Sequence, residues 1–546
     1  MSGPRVYLAG LSGAGKTTVA ALLGRWLGVR IADVDAEIER AAGRSVADLW
    51  SAEGESAFRA LERETVERLV AGEGAAVIAL GGGTLEDAGS RERLARWGDG
   101  VWLDAPAAEL AGRVGDGTGR PLLEGGAPER ALRALEAERR PRYEALPHRV
   151  AVDGSSAVGA AVAVLRAVES GALEDLGAGI GFGRGALGRA GELLSASLAV
   201  PTRGAAAGAP ARPLPVVTDA RVWGLHGGPL AASLRSLDRE AMPVELEEGE
   251  AGKSPAALLH VWRALAAVEA GRDTPLAVLG GGALGDVGGL AAATFKRGLP
   301  LALFPTTLLA QVDAAIGGKN AIDLDGIKNS IGTFHDPALV AIDSLCPLTQ
   351  ADRDWRAGWA EIVKSGLVGD PGLFELCERD VEAICDRRLE VVEEATRRAA
   401  RVKLGIVAAD PREAGQRRAL NLGHTLGHAI ESAADGTLLH GEAISIGLVL
   451  AARLSEREGV AEAGLAERIE AVLSALELPV RPPAGLDPGR VLALARQDKK
   501  RRGDAVHAVL PVRPGAVEIR TMDDAALERW IGGSLETDLI RAGSSS

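Results

Sequence analysis

Short apolar runs recur along the chain, and most lead through a turn into a stretch of helical periodicity. RVYLAG (5–10) reads as a strand, and TTVAALLGRWLG (17–28) repeats its apolar residues at the helical period. IADVDAEIE (31–39) places Asp33 and Asp35 after a short strand, AFRALERE (57–64) puts Arg59 on a helix, and VIALGGGTL (77–85) is an apolar strand running into three glycines. AVGAAVAVLRAV (157–168) predicts a helix that closes this first region; interrupted by Arg166, it is too short to span a bilayer. The glycine-rich stretch 169–185 has few large apolar side chains and predicts a flexible connection. From about 213 the alternation resumes with a strand in PLPVVTD (213–219), a helix in SPAALLHVWRALAAVEAG (254–271), and strand, glycine loop and helix in PLAVLGGGALGDVGGLAAATFKRG (275–298). That order predicts an α/β fold with a mainly parallel sheet. Beyond WAEIVKSG (359–366) helical patterns dominate, so a mostly α-helical domain is expected over 351–535, after a first domain at 1–170 and an α/β domain at 171–350, with a frayed tail at 536–546.

A length of 546 residues argues against a single core. The net charge of -13 argues against a nucleic-acid partner, and no segment suggests a membrane. Three cysteines with no close pair (Cys346, Cys377, Cys385) suit buried thiols in a reducing cytoplasm, and the start of the chain leaves no room for a signal peptide before its first motif. Lys plus Arg is 62, yet only nine are lysine: Lys16, Lys253, Lys296, Lys319, Lys328, Lys364, Lys403, Lys499 and Lys500. Where arginine is so abundant, a retained lysine marks a place where a compact charge or a removable proton is needed.

GLSGAGKT (10–17) fits G-x-x-x-x-G-K-[ST] between strand and helix, the context that motif requires. Gly13, Ala14, Gly15, Lys16, Thr17 and Thr18 would cradle nucleotide phosphates, with Lys16 on the terminal ones and Thr17 helping to hold Mg²⁺. GGGALGD (280–286) could hold a dinucleotide pyrophosphate, although it is not a strict GxGxxG. Glu361 and Lys364 share a helix face, and His424 and His428 lie four apart with His440 following. Such histidines could face a metal or be hydrogen-bonded in a core. Thr425 after the first histidine excludes an HExxH protease.

In the first region an N-cap aspartate, a surface arginine or a glycine turn would each have a plain account. In this order and at these intervals, GLSGAGKT, the Asp33–Asp35 segment, AFRALERE, LGGGT, TGRPLL and RRPRYEAL resemble shikimate kinase over residues 1–168. The resemblance implies ATP- and Mg²⁺-dependent phosphorylation of shikimate. It places Asp33 near Mg²⁺ and Asp35 on the substrate hydroxyls as base, with Arg59 and Arg139 on the carboxylate. Gly81, Gly82 and Gly83 would line the substrate, Arg120 would meet the ATP phosphates from a lid at 113–126, and Arg113 would lie near the adenine. A different small-molecule kinase is the alternative.

GGGALGD, PTTLLAQVDAAIGGK, AEIVK, LNLGHTLGHAIE, HGEA and DKK together resemble 3-dehydroquinate synthase from about 213 to 512. The implied reaction is the NAD- and metal-dependent cyclisation of 3-deoxy-D-arabino-heptulosonate 7-phosphate to 3-dehydroquinate with loss of phosphate. The implied ligands of Zn²⁺ (or Co²⁺) are Glu361, His424 and His440, with His428 left for the substrate phosphate. NAD would lie against Asp219, Glu248, Glu250, Lys253, Gly282, Ala283, Leu284, Gly285, Asp286, Thr306, Thr307 and Thr349, with Asp313, Lys319 and Lys328 close by. The substrate pocket would draw on Asp313, Lys319, Asn329, Lys364, Lys403, Arg417, Asn421, His428 and one or both of Lys499 and Lys500; Lys364, His428, Asp313 and Lys403 are the expected catalytic residues. Arg297 resembles an arginine lent by a neighbouring subunit, which implies a homodimer through the C-terminal half. Other shikimate-pathway enzymes are further candidate partners. The resemblance also implies a pair of strands within 175–200, where the composition is rich in glycine and poor in β-formers. The alternatives are a related sugar-phosphate cyclase, or one half retained as an inactive regulatory module.

Overall fold

The computed structural model describes residues 4–72, 74, 76–123, 127–169, 171–198, 212–502, 506–523 and 525–531, with backbone alone at 497–502 and 506. The expected tail at 536–546, the side chains of Lys499 and Lys500, and residues 124–126 of the expected lid lie outside the described residues. Two compact units emerge: Met1–Gly171 with Asp386–Glu390, and Ala172–Cys385 with Val391–Ser546.

In the first unit β1 (Val6–Ala9), β2 (Ile31–Asp33), β3 (Val77–Ala79), β4 (Asp99–Asp104) and β5 (His148–Ala151) form a parallel sheet in the order β2-β3-β1-β4-β5. Every residue of β1 and β3 is buried, as a parallel sheet covered on both faces requires. The loops that leave the carboxyl ends of β1, β2 and β3 start helix α1 (Lys16–Leu27), start helix α2 (Val34–Ala42) and form the glycine run at 81–83. Three chemically distinct segments therefore meet at one sheet edge. Helix α3 (Val46–Ala71) carries Arg59.

The second unit holds a seven-stranded sheet in the order β6-β7-β14-β11-β10-β8-β9, made of β6 (Glu174–Gly177), β7 (Ile180–Gly183), β8 (Leu214–Thr218), β9 (Ala241–Glu245), β10 (Leu276–Gly280), β11 (Leu301–Pro305) and β14 (Leu339–Asp343). All neighbours are parallel except β6 and β7. The strand order reverses between β8 and β10, where the carboxyl ends leave a crevice. Helix α4 (Gly282–Thr294) begins in that crevice.

The expected flexible connection at 169–185 is instead largely a hairpin. Ala178 and Gly179 both take positive φ (51° and 76°), the two-residue turn whose twist suits antiparallel strands. Ile180 and Phe182 then bury against the sheet, with Val340 as the β14 partner of Ile180. Asp343 at the end of β14 accepts from the backbone N–H groups of Gly185, Leu187 and Leu345 at 3.1, 3.4 and 3.1 Å. The sheet supplies what local propensity lacks.

The expected helical region is mostly so, with helices α5 (Asp352–Gly369), α6 (Leu389–Ala409), α7 (His424–Ala433) and α8 (His440–Arg457). It also contains a hairpin that the pattern did not separate, β15 (Val506–Arg513) with β16 (Ala516–Met522), turned by Pro514 and Gly515 (φ 81°). A second hairpin, β12 (Lys319–Leu324) with β13 (Ile327–Phe334), belongs to neither sheet. Cys346 and Cys377 are buried as expected, whereas Cys385, at the end of the short helix Val381–Cys385, is exposed.

Helices α5, α7 and α8 meet backbone to backbone. A Cβ at Gly441 of α8 would stand 2.6 Å from the carbonyl carbon of Ala357 in α5. One at Gly447 would stand 2.9 Å from that of Gly423, the residue that starts α7. Around these seams pack Trp359, Leu422, Ile444 and Leu448, all 0% exposed.

Candidate active sites

The first site grows from the loop after β1. Gly13 and Gly15 take φ of 85° and 86°, and Gly15 is the residue before α1, so the loop turns its N–H groups toward the helix start without a Cβ penalty. Ala14 is buried, and Thr18 is exposed on the first turn of α1. Lys16 Nζ donates to the carbonyls of Gly10 and Leu11 (2.9 and 3.1 Å). Burial lowers its pKa to about 8 against the raising influence of Asp35 and Asp33. Thr17 Oγ1 donates to Asp33 Oδ2 at 2.6 Å, a hydroxyl and a carboxylate set together as a magnesium site needs. Asp33 ends β2 and also caps α2, accepting from the N–H groups of Asp35 and Ala36.

Gly81 and Gly83 bring the remaining groups in. A Cβ on Gly81 would lie 2.6 Å from Glu62 Oε1 and 2.8 Å from Asp35 Oδ1; one on Gly83 would lie 2.6 Å from Arg59 Cζ. Burial, then Asp33 and Glu62, raise Asp35 to about 6. Arg59 pairs with Glu62 Oε2 at 2.6 Å and lies over the rings of Trp50 and Phe58. Arg139 donates through Nη1 to the carbonyl of Gly82 (2.7 Å), while its buried Nε has no hydrogen-bond partner among the described residues and Glu86 Oε1 stands 4.0 Å away. Arg113 donates to the Val152 carbonyl (2.9 Å) and, at 3.5 Å, to that of Gly13, while Arg120 reaches the Val114 carbonyl at 3.5 Å.

The second site joins five elements, the histidines coming from α7 and α8. Glu361 and Lys364 come from α5, Lys403 from α6, and Asp313 from a π-helical turn at Ala310–Ala314. Gln311 locks that turn, donating through Nε2 to the carbonyls of Pro305 (3.1 Å) and Asp343 (2.8 Å). Lys403 Nζ donates to the carbonyl and Oδ1 of Asp313 (2.7 and 2.6 Å), Lys364 Nζ stands 3.7 Å from Asp313 Oδ1, and Lys364 pairs with Glu361. Burial opposes the charge on Asp313, yet Lys403 and Lys364 hold its carboxyl well below the usual range. For Glu361 burial is outweighed by Lys364, and the pKa falls to about 2.

Both Glu361 oxygens are buried without a hydrogen bond of good geometry, and Oε1 is 3.5 Å from His424 Nε2 and 3.5 Å from His440 Nε2. Donors about 2.0–2.2 Å from a tetrahedral ion stand roughly 3.3–3.6 Å apart, so this donor set fits zinc. Each Nδ1 faces an oxygen, Leu422 O for His424 (3.1 Å) and Glu431 Oε2 for His440 (3.0 Å), which leaves Nε2 for a metal. Burial disfavours charge on His440, but the neighbouring carboxylates of Glu361 and Glu431 raise it to about 9. His424 goes the other way: burial and Lys364 drive it well below its ordinary value. One nitrogen each of His424, His428 and His440 also lies within 4.8 Å of the others, and His428 is the exposed member.

The remaining expected residues lie around this centre. Lys319 pairs with Glu413 (2.5 Å), which also accepts from Asn421 (2.7 Å); Arg417, buried, donates to the Gly317 carbonyl (2.8 Å). Lys328 pairs with Glu431 (2.6 Å), and Asn329 accepts from Lys253 (2.5 Å), which pairs with Asp286 at 2.8 Å and Glu250 at 3.7 Å. In the sheet crevice Asp219 caps the turn after β8, Gly282, Ala283, Leu284 and Gly285 open α4, and Thr306 and Thr307 follow β11. Glu248 is exposed beside the turn at Gly249–Gly252. Thr349 Oγ1 donates to the Cys346 carbonyl and lies 3.0 Å from His226 Nε2. Arg297 is exposed, and both it and Lys296 take left-handed φ (67° and 48°). Glu62, Glu413, Glu431 and His226 escaped sequence reasoning; only Glu431, seven residues after His424 and so on its helix face, left a readable signal.

These features are those of a P-loop phosphotransferase followed by an α/β enzyme with a dinucleotide crevice and a metal-type donor set. Family models agree: shikimate kinase matches residues 12–169, 3-dehydroquinate synthase N-terminal matches 243–357, and 3-dehydroquinate synthase C-terminal matches 358–501. A 3-dehydroquinate synthase of Symbiobacterium thermophilum is 39% identical over 316 residues, covering 58% of this chain and 88% of that protein. One of Dehalococcoides mccartyi is 40% identical over 300 residues, covering 55% and 83%. A solved 2-epi-5-epi-valiolone synthase, ValA of Streptomyces hygroscopicus subsp. jinggangensis, with NAD⁺ and Zn²⁺ bound, is similar at 31% identity and TM-score 0.57 over 63% of this chain and 95% of that one. The chain belongs to the 3-dehydroquinate synthase family and carries a shikimate kinase domain ahead of it. Among the described residues no helix is long and apolar enough to cross a membrane.

Proposed function

We propose that this is a bifunctional enzyme of aromatic biosynthesis, phosphorylating shikimate from ATP in residues 1–170 and making 3-dehydroquinate from a seven-carbon acid phosphate in 171–535. The observation that carries the reading is that each matched region gathers charged groups in one place, Lys16, Thr17, Asp33 and Asp35 in the first and Asp313, Glu361, Lys364 and Lys403 in the second. In the kinase, Lys16 and Arg120 neutralise phosphate charge, Thr17 and Asp33 hold Mg²⁺, and Arg139 with Arg59 takes the carboxylate. Asp35, poised near neutrality, accepts the hydroxyl proton. In the synthase, residues 171–350 hold NAD and 351–535 hold Zn²⁺ (or Co²⁺) through Glu361, His424 and His440. The metal supplies Lewis acidity toward hydroxyl and ketone oxygens, and NAD supplies a reversible hydride acceptor. Lys364, Lys403 and Arg417 balance the substrate's negative charge, Asp313 orients the two lysines, and His428, exposed at the rim, meets the phosphate.

A homodimer completes the synthase through Arg297. Two consecutive non-glycine residues in left-handed conformation cost about 1–2 kcal/mol each, a strain that persists where it serves a site. The reduced cysteines suit a cytoplasmic enzyme. The test is paired: Lys16→Ala is expected to abolish shikimate phosphorylation and spare cyclisation, and Lys364→Ala the reverse. Loss of both activities from either change in a folded chain overturns the reading, and a product other than 3-dehydroquinate points to the related cyclase that the valiolone synthase likeness represents.

A further inference from the structure

Glu431 lies on α7 two turns beyond His424, and none of the roles above uses it. Its side chain is only 11% exposed, and both oxygens are committed: Oε2 stands 3.0 Å from His440 Nδ1, and Oε1 accepts from Lys328 Nζ at 2.6 Å. The two zinc-type histidines are therefore oriented by different means. His424 is held by a backbone carbonyl two residues before it, whereas His440 depends on a carboxylate from another helix. His440 is also the more exposed of the two (32% against 12%) and the first residue of its helix, where no preceding turn confines the ring. Lys328 is on β13, so the same carboxylate ties His440 to the β12–β13 hairpin.

We propose that Glu431 is a positioning residue of the metal centre. It accepts a hydrogen bond from His440 Nδ1–H, fixes the tautomer that leaves Nε2 toward Glu361 and His424, and raises the donor strength of that nitrogen. The inference rests on the reading of Glu361, His424 and His440 as ligands.

The experiment uses the full chain and measures zinc affinity by competition with a chromogenic chelator. The variants are Glu431→Gln, which keeps an acceptor without charge, Glu431→Leu, which removes the acceptor, and His440→Ala. Glu431→Leu is expected to bind zinc about 10–100-fold more weakly than the unaltered chain, with Glu431→Gln between them. The visible spectrum of the cobalt-loaded variants shifts in the same order, which a purely structural role would not produce. If Glu431→Leu fails to fold, Glu431→Gln alone decides, by weaker zinc binding at an unchanged melting temperature of the metal-free form. Wild-type affinity in the Glu431 variants, with zinc lost from His440→Ala, overturns the positioning role and leaves the ligand reading standing. Wild-type affinity in His440→Ala overturns the ligand reading itself.

Discussion

Replacing Gly441 with alanine adds one methyl group where α5 and α8 touch. That Cβ would be 2.6 Å from the Ala357 carbonyl carbon and nearer still to its oxygen. Ordinary carbon–carbon contact is about 3.5–4.0 Å, so the helices must part by roughly 1 Å. Overpacking of this kind costs about 1–3 kcal/mol, which a domain of ordinary stability survives. The metal centre has less latitude. Glu361 is on α5 and His440 is the residue before Gly441, while donor positions must hold within about 0.2 Å. A separation five times that tolerance is expected to weaken zinc by at least about tenfold, roughly 1.4 kcal/mol. Zinc per chain after dialysis and synthase kcat/KM should fall together, with shikimate phosphorylation unchanged. Gly405→Ala is the control: it lies on α6 with nothing within 4 Å of its Cβ, so the change should be neutral or stabilise by up to about 1 kcal/mol. Full zinc occupancy and wild-type synthase kcat/KM in Gly441→Ala would refute the argument from helix approach.

Two further outcomes are expected. Asp35 must be ionised to accept a proton, and its pKa is raised to about 6, so kinase kcat/KM should hold above that value and drop as pH falls through it; a limb near the usual carboxylate pKa of about 4 would contradict this. Arg297→Ala and Lys364→Ala chains, each inactive as synthase alone, should regain about a quarter of wild-type activity when mixed and allowed to exchange subunits, because one of the two sites in each mixed dimer is then whole. No recovery after proven exchange counts against a shared site.

The parts of the sites that were legible in the sequence are those whose spacing is set within one local segment. A phosphate loop needs its glycines, lysine and threonine in one turn, and Glu361 with Lys364 needs only one helix. The scarcity of lysine also helped: Lys253, Lys364 and Lys403 are buried in ion pairs, where a compact ammonium fits. Glu413 acts on Lys319 and Asn421, and Glu62 reaches Thr84 as well as its helix neighbour Arg59; nothing in their own neighbourhood announces the distant partners, whereas only the seven-residue spacing from His424 hinted at Glu431. Strand β7, one of the pair that the resemblance implied, was invisible to the residue pattern for a related reason. Its isoleucine and phenylalanine are flanked by glycines and become a strand only once β14 offers a register. The β15–β16 hairpin was hidden because a short apolar run fits a strand or a buried helix segment equally well.

The β6–β7 hairpin decides where the two enzymes can be cut apart. Helix Ala157–Val168 closes the first unit and β6 begins at Glu174, so a protease site or a gene split belongs among the few residues between them. A break only a little later, inside β6, would strip the outermost strand from the sheet and leave the free hydrogen-bonding edge of β7 to recruit strands from other molecules. Glu174, whose carboxylate binds Arg397 and Arg401 at 2.7 and 2.5 Å, would be lost with it. The gene for the stand-alone synthase thus has to start upstream of its first recognisable motif, at a glycine-rich stretch that a designer trimming by composition would discard.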